Sequence, residues 1–309
     1  MTVALVTGGL GFVGAHLCGL LRDRGWEVVV VTRRTVGGPP GVRLVSLDVT
    51  DPQLVDDAIA EIRPDVTFHL AAAMAQRGTP AEAILSNAVV GTLNVCSSLR
   101  RRGRPGSRLI LAGSSAQYGD VPRAENPVAE DAPQRPVNAY GFAKVAAEAV
   151  ACALAADGSL DVIPVRAFNH VGPGESGTTV AGAFALRISD VLRGAASRVD
   201  AGGLDAVRDF TDVRDIAAGY LAAAERGRPG RPYNLCSGRA TSIGTILDGL
   251  LREAGVDRSI VDEVPTERGG IPFQVGSPIR ARDELGWEAR IPLDQSLADL
   301  LAVTALRSA

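Results

Sequence analysis

Tyr140-Gly-Phe-Ala-Lys144 spaces a phenol and an ammonium by four residues, so on a helix both side chains point to one face. An ammonium beside a phenol favours the phenolate, which brings a group with an ordinary pKa of ~10 into use as an acid or base nearer neutrality. Of the 32 lysine-plus-arginine residues, Lys144 is the sole lysine. A delocalised guanidinium cannot replace a compact, titratable ammonium, so one lysine surviving at this spacing is informative. Ser114, after the apolar run RLILAG, is a third candidate, a hydroxyl able to donate a hydrogen bond to a substrate oxygen. Buried tyrosines and helix-capping serines are each common, and it is the three together that point to proton transfer.

A second set of residues suits an anion. TGGLGFVG (7–14) places Gly8, Gly11 and Gly14 three apart, between a strand-like run and the start of a helix. In that setting, backbone N–H groups and a helix N-terminus face the pyrophosphate of a dinucleotide, with Gly8, Gly11, Phe12, Val13 and Gly14 as the expected contacts. NAD-selective sites usually carry an acid at the end of the second strand, but here that strand ends Thr32-Arg33-Arg34. Two guanidiniums in reach of a 2′-phosphate favour NADP, with NAD possible.

These residues need a scaffold, and the pattern supplies one. Short apolar runs (3–8, 27–32, 43–49, 65–71, 108–115, 161–168) alternate with helical stretches near 12–24, 53–62, 83–102 and 140–156. Such alternation predicts a doubly wound α/β fold with a parallel sheet covered on both faces. The expected organisation is a dinucleotide-binding domain over 1–168, joined by a returning segment near 208–240, with 169–309 mainly a smaller substrate-binding lobe. At 309 residues with 46% hydrophobic and 22% charged residues, the chain is neither disordered nor fibrous. A net charge of −3 provides no general field for nucleic acid or anionic membrane. Cysteines 18, 96, 152 and 236 lack metal-type spacing, so a reduced, metal-free, cytoplasmic protein is expected, and no apolar run approaches the ~18 residues of a membrane span. Arginines 100, 101, 102 and 104 read as a solvated helix end whose charge suits the C-terminal dipole.

TGGLGFVG, DVTD (48–51), HLAA (69–72), Asn87 with Gly91-Thr92, SSAQYG (114–119) and the Tyr140–Lys144 pair together resemble the extended short-chain dehydrogenase/reductase family, over nearly all of the chain. Within that family RAFNHVGPG (166–174), RDFTDVRD (208–215), YNLCSG (233–238) and LGW (285–287) are most similar to the nucleotide-sugar branch containing the GDP-4-keto-6-deoxy-mannose reductases and GDP-mannose 4,6-dehydratases. The resemblance implies a Rossmann sheet, with Asp48 and Val49 flanking the adenine and Ala71 and Ala72 lining the ribose of the nicotinamide half. It implies Tyr140 and Lys144 beside the cofactor, and Ser114, Asn169 and Arg208 on a nucleotide-sugar substrate. A guanidinium fork at Arg208 also suits phosphate oxygens on chemical grounds.

Within the family, dehydration needs an additional carboxylate two residues before the tyrosine of the YG pair. That position is Ala116, flanked by Ser115 and Gln117, so reduction of a C4 ketone, needing only a hydride and a proton, is the expected reaction. Related reductases often keep a glutamate there, a departure that points to a different sugar or stereochemical outcome. Where relatives carry an R-P-x-E element this chain reads Glu267-Arg268-Gly269-Gly270, leaving Arg268 for the diphosphate and no acid for the nucleotide ribose. The expected substrate is a nucleotide-linked 4-keto-6-deoxy sugar, GDP-linked by resemblance. The alternatives are a C4 epimerase or a 4,6-dehydratase with tightly bound NAD, and a nonenzymatic dinucleotide sensor. A sensor has no use for the Tyr–Lys pair. The alanine-rich helix at 140–156 and the helix at 83–102 are expected to pair across a homodimer, as they do in extended members of the family.

Overall fold

The computed structural model describes residues 1–33, 38–71, 79–265 and 270–308. In chain order its strands are β1 (Val3–Thr7), β2 (Glu27–Thr32), β3 (Val42–Ser46), β4 (Val66–His69), β5 (Arg108–Ser114), β6 (Asp161–Ala167), β7 (Asn169–Val171), β8 (Val199–Ala201), β9 (Val207–Asp212), β10 (Tyr233–Leu235), β11 (Ala240–Ser242) and β12 (Val261–Glu263). The helices are α1 (Phe12–Asp23), α2 (Pro52–Ile62), α3 (Ala81–Leu85), α4 (Gly91–Arg102), α5 (Ala139–Leu154), α6 (Val180–Leu192), α7 (Val213–Arg226), α8 (Ile243–Ala254), α9 (Ile279–Leu285) and α10 (Leu293–Ser308). A π-helical turn, Ser86–Val90, joins α3 to α4, so the expected single helix at 83–102 changes its hydrogen-bond phase midway.

Seven parallel strands form the main sheet in the order β10-β6-β5-β4-β1-β2-β3. The chain builds outward from β1 to β3, then restarts at β4 and builds the other way. The reversal between β1 and β4 opens a crevice at their C-terminal ends, the topological switch point where α/β sheets bind ligands. Strand alternation fills both faces. Ala4, Val6, Val28 and Val30 pack with α1 and α7, whereas Val3, Leu5, Val29 and Val31 pack with α2 and α4. The run at 233–238 returns to the sheet as β10 on β6, and Ala281, Leu285 and Trp287 also return to the core beneath α7. A three-stranded sheet, β11-β9-β7, and the β12-β8 pair lie with α6, α8 and α10 around a separate apolar cluster containing Phe184, Phe210 and Leu247.

Local chemistry explains several boundaries. Pro52 opens α2 and Asp51 accepts from the Gln53 and Leu54 amides, while Asn138 caps α5 through the Gly141 amide. The arginine run ending α4 is less simply solvated than expected. Arg100 pairs with Asp157, Arg101 and Arg102 with Asp56, and Arg104 with Asp65. These arginines remain largely exposed, so the pairs orient the helix end more than they stabilise it.

One buried carboxylate ties the two sheets together. Asp209 on β9, fully buried, accepts from the Ser237 amide and hydroxyl at one oxygen and from the Gly238 and Gly276 amides at the other. Asp209→Asn turns an NH2 group toward these donors, and the expected loss is about 2–4 kcal/mol. Urea unfolding checks this as a lowered midpoint with an unchanged slope.

Candidate active site

The glycine cradle sits at the switch point. Gly8 adopts φ +73°, and a Cβ there would lie 2.9 Å from the Ala71 amide nitrogen. A Cβ on Gly14 would lie 2.3 Å from the Gly8 carbonyl oxygen, so only glycines allow the turn, the helix start and the end of β4 to converge. Gly11 is the N-cap of α1 and no side chain caps that helix, which leaves its first-turn amides to meet an anion. This arrangement fits a dinucleotide pyrophosphate. Phe12 turns its ring onto His170 at 5.6 Å between centroids, and Val13 packs against the core, so both offer backbone rather than side chain to the anion. Thr7 links the strand ends: its hydroxyl accepts from the Ala71 amide and lies 2.8 Å from His69 Nδ1. Burial, aided by the charge of Lys144, pushes His69 down to about 3 and keeps it neutral.

On the adenine side, Val49 is buried and its carbonyl accepts from Asn94, while Gly91 leaves the space that Val49 occupies. Asp48 is held below the usual carboxylate range, first by the Thr50 amide and also by Arg33, whose guanidinium lies 3.9 Å away. Arg33 is exposed at the end of β2, beyond Thr32. Arg34, Ala72 and Arg268 lie outside the described residues.

Ser114, Tyr140 and Lys144 come together at the C-terminal end of β5. Ser114 ends the strand, its hydroxyl accepts from the Ala116 amide, and its nearness favours the ionised form of the Tyr140 phenol. Lys144, buried one turn after Tyr140, donates to the Ala112 carbonyl at 2.6 Å, with its ammonium 5.8 Å from the centre of the Tyr140 ring. The expectation that Lys144 depresses Tyr140 is corrected here. Burial raises the phenol above its ordinary value, and the lowering comes from Ser114. Lys144 is itself pushed down to about 8, because desolvation disfavours its charge.

Across the crevice, Asn169 on β7 stands opposite Phe210 on β9, two residues beyond Arg208. Arg208 spends one donor on the Val207 carbonyl and has Asp120 near it, while burial pulls its pKa down. The loop between β7 and α6 carries Glu175, a buried carboxyl whose Oε1 accepts from the Gly182 amide in the first turn of α6 and whose Oε2 has no hydrogen-bond partner. Burial pushes Glu175 up to about 7.

The motifs did not single out the residues that hold this constellation. Gln117, Glu148 and Arg166 form a buried polar chain behind Ser114, and Gln274 donates to the Ser115 and Gly119 carbonyls. One signal was available, since Glu148 repeats the four-residue step from Tyr140 to Lys144 on an otherwise small, apolar helix face. Among the described residues no cluster suits a metal ion, and no helix is long and apolar enough to cross a membrane.

Residues 4–236 match the model of the NAD dependent epimerase/dehydratase family. The chain is 32% identical over 305 residues to GDP-6-deoxy-D-mannose reductase of Pseudomonas aeruginosa, covering 96% of this chain and 95% of the relative. It is equally similar, 32% over 304 residues, to dTDP-6-deoxy-L-talose 4-dehydrogenase (NAD(P)(+)) of Kitasatospora kifunensis, covering 96% and 93%. Among solved structures, RMD from Pseudomonas aeruginosa complexed with NADPH matches with a TM-score of 0.86 at 29% identity, over 99% of this chain and 100% of the other. UDP-glucose 4-epimerase with UDP-glucose from Thermotoga maritima matches at 0.88 and 25%, over 99% of each chain. Coverage on this scale makes the likeness one of whole chains.

Glu175 makes a pH prediction. Its folded pKa, about 7, stands above the ordinary value of 4.5, so the folded state holds a proton that the unfolded chain has lost. Its contribution is therefore present at low pH and lost as pH rises through this window. Glu175→Gln is expected to be nearly neutral below about pH 4.5, to stabilise progressively between about pH 4.5 and 7, and to level off above that at about 3 kcal/mol at most. Thermal unfolding of both proteins across this range is the check, and a pH-independent difference would reject it.

Proposed function

The chain belongs to the NAD dependent epimerase/dehydratase family, and on that footing we propose that it is an NADPH-dependent reductase of the C4 ketone of a nucleotide-linked 4-keto-6-deoxy sugar, with GDP the favoured nucleotide. The observation that carries this reading is the Ser114–Tyr140–Lys144 cluster at the end of β5, with no carboxylate at 115–117 to support dehydration. The glycine cradle would hold the pyrophosphate of a reduced dinucleotide, which would supply the hydride for C4. Tyr140 holds the proton that the resulting alkoxide takes up, and the Ser114 hydroxyl orients that oxygen. Lys144, fixed by the Ala112 carbonyl, is placed to hold the ribose hydroxyls and to keep positive charge beside the phenol as it gives up its proton. Ala71, Asp48 and Val49 line the remaining length of the dinucleotide, while Asn169, Arg208 and Arg268 take the sugar and diphosphate. In this reading 1–168, with the return near 208–240, serves the cofactor and 169–309 mainly the substrate.

Preference for NADP is supported by Arg33, exposed at the end of β2 where an NAD-selective site places an acid. Similarity to a reductase and to a structure with NADPH supports the same choice. The four free cysteines suit a reducing, cytoplasmic setting. A homodimer is supported by Leu85, Val90, Leu93 and Phe142, large apolar side chains exposed on the α3–α4 segment and on α5.

The test is a panel of GDP-, dTDP-, UDP- and CDP-linked 4-keto-6-deoxy sugars incubated with NADPH or NADH. Stoichiometric loss of NADPH with the GDP substrate is expected, and Tyr140→Phe should cut turnover by at least about a hundredfold while leaving NADPH binding intact. Sugar interconversion without net loss of reduced cofactor would instead identify an epimerase. For the dimer, Ala149→Glu places a charge on the exposed side of α5 and should yield a monomer by mass measurement at micromolar concentration. An unchanged mass would remove these helices from the interface.

A further inference from the structure

Behind the reacting groups lies a continuous chain of buried hydrogen bonds. Arg166 on β6 donates to both carboxylate oxygens of Glu148 on α5, and Glu148 accepts from Gln117 Nε2 at 2.7 Å. Gln117 Oε1 in turn accepts from the Ser114 amide at 2.8 Å. Each of the three polar side chains is buried, Gln117 completely. Glu148 stands two turns after Tyr140 on the same helix, so this chain connects the element carrying the phenol to the backbone of Ser114. We propose that Gln117, oriented by Glu148 and Arg166, is a positioning residue that locks Ser114 at the strand end so that its hydroxyl stays beside the Tyr140 phenol for proton delivery. The catalytic meaning of this lock rests on the reductase reading above.

The chemistry of the chain allows one arrangement. Arg166 carries only donors and ionised Glu148 only acceptors, so the NH2 of Gln117 must face Glu148 and its carbonyl must face the Ser114 N–H. Reversal would set two acceptors against each other at one end and two donors at the other. Arg166 is held from elsewhere too, donating at 2.9 Å to the Tyr118 hydroxyl and to the Glu130 carbonyl, so the anchor is shared with the rest of the core. Gly113 makes the path possible, since a Cβ there would lie 2.4 Å from Gln117 Oε1. Ser114 is thus gripped at two points, its amide by Gln117 and its Oγ by the Ala116 amide, and the hydroxyl hydrogen is left to point into the site. Apolar packing alone would hold the strand end, but it would not select the rotation that aims this hydrogen.

The lock can be read without turnover. The chain has four tyrosines, so Cζ-labelled tyrosine NMR, with Tyr140→Phe to assign the signal, follows Tyr140 through its own titration. Gln117→Met keeps the bulk of the side chain and removes both hydrogen bonds. The expected result is an upward shift of the Tyr140 titration, because the Ser114 hydroxyl that favours phenolate is loosened, together with about a tenfold fall in kcat and a KM for NADPH within about twofold of wild type. A second variant covers the case in which Gln117→Met fails to fold. Gln117→Glu sets a carboxylate against Glu148 and should shift Tyr140 upward. An unmoved Tyr140 signal in a folded Gln117 variant overturns the proposal. Wild-type protein inactive on every ketone would refute the reductase reading, while the titration would still judge the lock.

Discussion

Everything at the centre of this molecule depends on how closely α5 lies against the end of β5. Lys144 reaches the Ala112 carbonyl at 2.6 Å only because the helix face beside it is nearly bare, with Gly141, Ala143, Ala147 and Ala151 turned inward. A Cβ on Gly141 would already lie 2.5 Å from the Ala116 carbonyl oxygen. At this separation an ammonium can be stripped of water and still satisfied by a backbone carbonyl. A guanidinium, larger and planar, has no equivalent place, which gives the one lysine in an arginine-rich chain its physical reason. The same closeness brings Tyr140 to Ser114 and Glu148 to Gln117, so three contacts follow from one packing decision. The alanines of α5 accordingly divide: Ala143 and Ala147 pack with Ile84 and Ala88 of the α3–α4 segment, Ala151 joins the core on the sheet, and Ala149 and Ala153 face outward.

Features governed by local periodicity could be read directly from the sequence. Apolar strands alternating with helices predicted the parallel sheet, and the segment expected to return near 208–240 contributes β10 to it. Gly8, Gly11 and Gly14, and likewise Ser114, Tyr140 and Lys144, converge as expected, because each set is positioned by a strand end and the helix beside it. What escaped was set by partners distant in sequence. Gln274 is 159 positions from Ser115, and Asp209 is 28 from Ser237, so neither pattern nor propensity could mark them as braces. The π-helical turn at Ser86–Val90 was invisible for a different reason, since a change in hydrogen-bond phase leaves the apolar periodicity nearly intact. The electrostatics of Tyr140 also depended on more than spacing. Four residues on a helix bring a lysine near, but only the fold decides whether burial or charge dominates.

The two halves of the crevice are joined more tightly than their separate sheets would suggest. His16, in the second turn of α1, lies 2.8 Å through Nε2 from the Pro173 carbonyl, and Phe12 in the first turn stacks on His170. Both partners belong to the segment that begins at Asn169 on β7 and ends at the buried carboxyl of Glu175 against α6. The helix whose N-terminus faces the cofactor anion is therefore clamped to the loop that follows Asn169. From the opposite side, Gln274 grips the Ser115 and Gly119 carbonyls, tying the turn after Ser114 to the segment that pairs with β9 at Val207. A shift of α1 toward a bound pyrophosphate would carry the 169–175 loop with it, and a shift of β9 would pull on the turn beside Ser114. Cofactor cradle, proton donor and substrate strand thus share one set of constraints, and none can be retuned without disturbing the geometry of the others.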